Sequence, residues 1–240
     1  MRRVEIIFLI VVVATLLLSC QKPPETADSI ARRVVEAHGG AKALSEARGF
    51  LFHGHVQNLI EDKHAKVWIL FRRPGELRVI AEMDDAKEDR LFLDGAGWID
   101  SGSGFEKATG ISYDLLEFQS EHLRIPFGLQ QGFYRLELLD QVVEGEPVRL
   151  RLTDPDGAEM TITIDPINSV VRKVERELVV QGENATFGVV YEDYRPVKGM
   201  QVPFRMINFV NGKPIVVTSF QSIQTNPSVP EKVFSPPGSG

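Results

Sequence analysis

Cysteine is nearly absent: Cys20 is the single one in 240 residues. One thiol cannot close a disulfide within the chain, so the fold must be held by burial alone. Long apolar runs are missing too. The longest, Ile6 to Leu18 (IIFLIVVVATLLL), falls short of the roughly 20 residues that a membrane-crossing helix needs. Positive charge is in the minority, with 27 basic against 33 acidic residues, and no basic patch is interleaved with aromatics. That excludes the usual footprint of a nucleic-acid partner. Signatures of catalysis are lacking as well: there is no nucleophile elbow, no HExxH, no P-loop and no GxGxxG following a strand. The chain therefore reads as a non-enzyme with no cofactor. The best metal candidate is His53 with His55 and nearby His64, since residues two apart on a strand share a face. That face is opposite Phe50 and Phe52, so the histidines read as solvated and no metal is expected. Asp84, Asp85, Glu88 and Asp89 read as a solvated acidic loop.

What is present begins with the position of Cys20. Arg2 and Arg3 precede the apolar run, and Ser19 closes it. A basic start, a short apolar middle and a small residue describe a secretory signal peptide. Leu17-Leu18-Ser19-Cys20 resembles the lipobox of bacterial lipoproteins. The resemblance implies a diacylglycerol on the Cys20 thiol, cleavage before it and acylation of the new amine. One acyl chain binds a membrane marginally, whereas two or more anchor firmly. The expected organisation is a signal peptide over residues 1–19, a lipidated tether over 20–27 and one domain over 28–240. The mature chain is slightly more acidic than the whole, because Arg2 and Arg3 leave with Glu5.

In the mature chain, Asp28 with Thr26 upstream predicts a helix start, and Ile30, Val34 and His38 form its apolar stripe. Gly39-Gly40 ends it, and a shorter helix follows over Ala41 to Ala47. From Gly49 the period changes from 3.6 to 2. Alternation recurs at Phe50 to Val56, Val67 to Phe71, Leu77 to Ala81 and Leu91 to Ile99, with a turn at Asp94-Gly95. A helix is predicted from Ser112 to Ile125, stopped by Pro126. Strands then resume to the end, and Asn211-Gly212 between two of them is a strong hairpin signal. The expected class is mainly β with α: about eleven antiparallel strands and three helical pieces.

A sheet of that size twists and curls, with its apolar face inward. The expected lining is Phe50, Phe52, Val67, Ile69, Phe71, Leu91, Leu93, Leu115, Phe118, Leu136, Leu150 and Ile162. Three helices are too few to fill the curl but enough to cover its mouth. Periodicity leaves two outcomes open: a hollow for a greasy ligand, or an interior filled by the protein's own side chains.

Three stretches resemble the LolA/LolB superfamily of periplasmic lipoprotein carriers and receptors: FRRPGELRV (Phe71 to Val79), LDGAGWID (Leu93 to Asp100) and EKVFSPPGSG at the C-terminal end. VVEAHGGAKAL and YEDYRPVKGMQVPFRM resemble outer-membrane lipoprotein-sorting proteins of the wider group. The resemblance implies an incomplete antiparallel barrel of about eleven strands under a helical lid. Its hydrophobic cavity would hold acyl chains of lipoproteins or another lipid. It also implies an arginine that ties the lid to the barrel through helix carbonyls, here Arg73 before Pro74, with Arg72 the neighbouring alternative. The implied setting is periplasm-facing, at the outer membrane, with a LolA-like carrier or a membrane signalling protein as possible partners. An envelope-stress sensor of the same fold is the alternative role. One departure stands out: the receptor's exposed leucine after the third strand has no counterpart in MDDAKEDR, Met83 to Arg90.

Overall fold

A computed structural model describes residues 25–235. The leader, Cys20 and most of the tether lie outside them. Helix α1 (Ala27–Ala37) is started by Thr26 rather than Asp28. Thr26 and Ser29 cap each other reciprocally, Ser29 N–H donating to Thr26 Oγ1 at 3.2 Å and Thr26 N–H to Ser29 Oγ at 2.9 Å. Asp28 lies in the first turn, where its charge favours the positive end of the helix. Gly39 and Gly40 take φ of 118° and 77°, reversing the chain into α2 (Gly40–Glu46).

The strands are β1 (Gly49–Asn58), β2 (Lys63–Arg72), β3 (Glu76–Glu82), β4 (Lys87–Leu93), β5 (Ala96–Asp100) and β6 (Glu106–Lys107). Helix α3 (Ile111–Gln131) follows. Then come β7 (Arg135–Leu138), β8 (Val148–Thr153), β9 (Glu159–Ile164), β10 (Val171–Val180), β11 (Glu183–Val197), β12 (Met200–Val210) and β13 (Lys213–Thr225). They form one antiparallel sheet of 13 strands, ordered β6-β5-β4-β3-β2-β1-β13-β12-β11-β10-β9-β8-β7. That is two strands more than the periodicity predicts; β6, at two residues, is too short for any alternation to register. The sheet does not close. Its edges are β6 and β7, the two strands that flank α3, so α3 is the link from one edge to the other. It packs on β3, β4 and β5 on one side and on β10 on the other.

Helix α3 also outruns its prediction. It continues through Pro126 to Gln131 and ends at Gly132, which takes φ 65°. Proline removes the N–H that would bond the carbonyl four residues back, that of His122. The Tyr191 hydroxyl lies 3.3 Å from that carbonyl and supplies the missing donor. A tertiary contact thus keeps the helix going where the local rule ends it.

Two apolar clusters form on opposite faces. The concave cluster packs α1, α2 and α3 on the sheet and includes Ile30, Val34, Phe50, Phe52, Phe71, Leu77, Phe118, Ile125, Leu150 and Ile162. The convex cluster unites Leu70, Leu91 and Leu93 with Phe234, which sits in a short 3-10 turn (Glu231–Phe234). Among the described residues, 25–235, all thirteen strands join one sheet that carries both clusters, so this stretch has its own core.

Candidate functional site

The space between α3 and the concave face holds two cavities. The first, of about 60 Å³, lies towards α2. Phe50, Phe52, Phe71, Phe127, Met200, Tyr191 and His38 are among its walls. The second, of about 220 Å³, is bounded by Val67, Ile69 and Val79 from the sheet and by Leu115, Phe118 and Gln119 from α3. Arg90, Asn208 and Thr218 add its polar part. His122 borders both. The walls follow from strand parity: cross-strand partners share a face, and Phe52 pairs with Ile69 while Ile69 pairs with Val79.

Seven of the twelve expected lining residues border a cavity. Phe50, Phe52 and Phe71 face the smaller one. Val67, Ile69, Leu115 and Phe118 face the larger one. Leu136, Leu150 and Ile162 point the same way but are packed into the concave core, which fills that end of the curl. Leu91 and Leu93 are misassigned by one residue. They pair with Trp98 and Ala96, turn to the convex face and are covered by Phe234. The inward positions of β4 are Phe92 and Arg90, Arg90 lying opposite Val79. The error arises because β4 is apolar on both faces at its end. Asp89, read as solvated, is 7% exposed on the convex side, where Arg78 grips it through two bonds of 2.9 and 2.7 Å.

The turn between β2 and β3 latches the helices. Arg73 Nη1 donates to the carbonyls of Leu44 and Ala47, each at 2.9 Å, and so serves the unpaired carbonyls at the end of α2. Its guanidinium also stands 4.8 Å from the Phe127 ring of α3. Two residues on, the Gly75 carbonyl accepts from Ser120 Oγ of α3. Arg72 points the other way: it pairs with Glu76 and lies 4.5 Å from the Phe234 ring. Geometry therefore separates the two arginines.

Two buried histidines, neither singled out as functional by the sequence, brace the same space. His38 Nε2 accepts from Val171 N–H and its Nδ1 bonds the Gln201 carbonyl, both at 3.2 Å. The Val171 N–H is free because the β9–β10 register shifts at that point. Burial lowers the His38 pKa to about 4 and that of His122 to about 3, so both rings are neutral. His122 Nδ1 is 2.8 Å from the Tyr191 hydroxyl. With Nδ1 as the donor, that hydroxyl is left to serve the His122 carbonyl. On the far side of α3, Arg176 of β10 bridges Glu117 and Glu121, each at 2.9 Å. Burial raises the Glu121 pKa to about 7 against the pull of Arg176.

His53 stacks on Trp68, with ring centroids 5.1 Å apart, on the outer face. Among the described residues, no group of three His, Cys, Asp or Glu side chains is placed to hold a metal ion. No described helix is long and apolar enough to cross a membrane.

The sequence matches no family model and no curated protein. Solved structures do match along most of the chain. A LolA superfamily protein from Nitrosomonas europaea superposes with a TM-score of 0.60 at 17% identity, covering 88% of this chain and 98% of that one. The fold is the LolA-like open barrel. An outer membrane lipoprotein-sorting protein domain from Vibrio parahaemolyticus agrees at TM-score 0.55 and 11% identity, over 85% of this chain and 97% of that one. A DUF1329 family protein from Desulfovibrio piger matches at TM-score 0.57 and 9% identity, over 90% and 98%. Within this LolA-like frame, the β3–β4 turn is Met83 to Ala86, shorter than the sequence reading, since Lys87 already begins β4.

Proposed function

We propose that this chain is a lipid-anchored carrier or receptor that holds acyl chains of lipoproteins or other lipids between α3 and the concave face. The observation that carries the reading is the 220 Å³ cavity walled by Val67, Ile69, Leu115 and Phe118 in a sheet that does not close. A protein needing only stability would collapse that space, because unfilled apolar volume costs free energy. The latch fits the same reading. Arg73 ties α2, and Ser120 ties α3, to the β2–β3 turn, so that the helices act as a lid over the cavity. The cavity falls below the roughly 300–1,000 Å³ usual for ligand sites. On this reading, loading widens the cavity.

Anchoring rests on Cys20. With a diacylglycerol and an acylated amine there, the tether over residues 20–27 leaves the domain facing the periplasm at the outer membrane. There it takes part in lipoprotein sorting or lipid transport. The outer membrane lipoprotein-sorting protein domain among the fold matches supports this setting. Mass spectrometry of an organic extract of the purified chain tests the reading. Acyl lipid in near-stoichiometric amount is expected, and an extract free of lipid contradicts it.

A further inference from the structure

The large cavity has one charged residue in its lining. Apolar side chains from both walls are interrupted by neutral polar ones, and Arg90 stands among Val79, Leu115 and Phe118. The residue comes there by parity, not by accident of a loop. Arg90 pairs with Val79 on one side and Ile99 on the other, both directed to the concave core. Its side chain is 32% exposed, so the guanidinium stands where the cavity opens. Bringing a cation against apolar walls is costly unless its donors are matched. Here they are matched incompletely. Glu88 Oε1 lies 2.8 Å from Arg90 Nε, but out of line for a hydrogen bond, and Nε is buried without a partner. Glu88 itself is 37% exposed and belongs to the same strand face, opposite Ala81 of the cavity wall. The other polar residues of the lining, Gln119, His122, Asn208 and Thr218, carry no positive charge, His122 being neutral.

We propose that Arg90 is the headgroup site of this cavity and that its ligand is a single-chain anionic amphiphile. The hydrocarbon tail lies along Val67, Ile69 and Phe118, and a carboxylate or phosphate takes the Arg90 fork, displacing Glu88. A guanidinium suits this task because its donors match two oxygens of one anion at once. The shared chemistry covers a free fatty acid and a phosphate-headed lysolipid. The proposal rests on the acyl-binding reading above and adds the sign and place of the head.

Isothermal titration of the chain from Gln21 onward, below micelle-forming concentrations at pH 7.5, tests both levels separately. The probes are dodecanoate, dodecyl phosphate and the uncharged methyl dodecanoate. The two anions should bind about tenfold more tightly than the ester, the factor for a hydrogen-bonded charge pair at a half-open site. Arg90→Met should erase that difference, whereas Glu88→Gln should tighten the anions alone. The stronger of the two anions identifies the source of the head, carboxylate or phosphate. If ester and anions bind alike to the unaltered chain, the headgroup site is wrong while acyl binding stands. Equal weakening of all three probes by Arg90→Met overturns it in the same way. If none of the probes binds, both readings fall.

Discussion

At the residue scale, the buried ionisable groups make stability depend on pH in a definite direction. The unfolded imidazoles of His38 and His122 take up protons below about pH 6.5, while the folded ones refuse them until about pH 4 and pH 3. Acidification therefore favours the unfolded chain. Glu121 works oppositely: folded, it keeps its proton to about pH 7, whereas unfolded it loses it near 4.5, so its contribution is lost as pH rises through that window. Between pH 4.5 and 6.5 two histidines outweigh one carboxylate. The unfolding free energy should fall on acidification through that window, by on the order of 1 kcal/mol per pH unit. Urea midpoints measured from pH 7 to 4.5 check this, and a flat profile would mean that these groups are open to water. His38 could be placed on the buried stripe of α1 from sequence. Its partners could not, because the free Val171 N–H exists only through a register shift in the sheet.

At the scale of elements, the β2–β3 turn is the hinge of the account. Replacing Arg73 by Met leaves the Leu44 and Ala47 carbonyls without their donor and should cost about 1–3 kcal/mol. Hydrogen exchange at α2 should quicken far more than at β1 and β2, because only the helix loses its tie. A uniform change across the sheet would show that Arg73 supports the core and not the lid. Most elements were legible in the sequence. Period-2 alternation marked the central strands, and Asn211-Gly212 and Asp94-Gly95 fix two-residue turns, with φ of 49° and 75° in the first and 49° and 71° in the second. The failures have particular causes. Pro126 does not stop α3, because Tyr191 from a distant strand serves the carbonyl left bare. Leu91 and Leu93 look inward on pattern alone, since nothing local reveals that Phe234 will cover the other face. The convex cluster is built from residues more than a hundred positions apart.

At the scale of the whole molecule, the meander places β1 beside β13 and leaves β6 and β7 as unpaired edges, with α3 laid across the opening. An open sheet keeps a seam along which the curl can widen, which a closed barrel lacks. The interior is neither empty nor filled: Leu136, Leu150 and Ile162 pack one end, while the other retains the larger cavity. The sequence foresaw the curl and the lid but not this division, because the volume left between packed side chains depends on where α3 settles. The most direct test is a titration of the chain from Gln21 onward with a fluorescent fatty acid, beside an Ile69→Asp variant whose fold is verified by circular dichroism. Saturable binding at one site, abolished by the charge at Ile69, is the expected result; no saturable binding, or binding that survives in the folded variant, would contradict the central claim that the hollow receives a hydrocarbon chain.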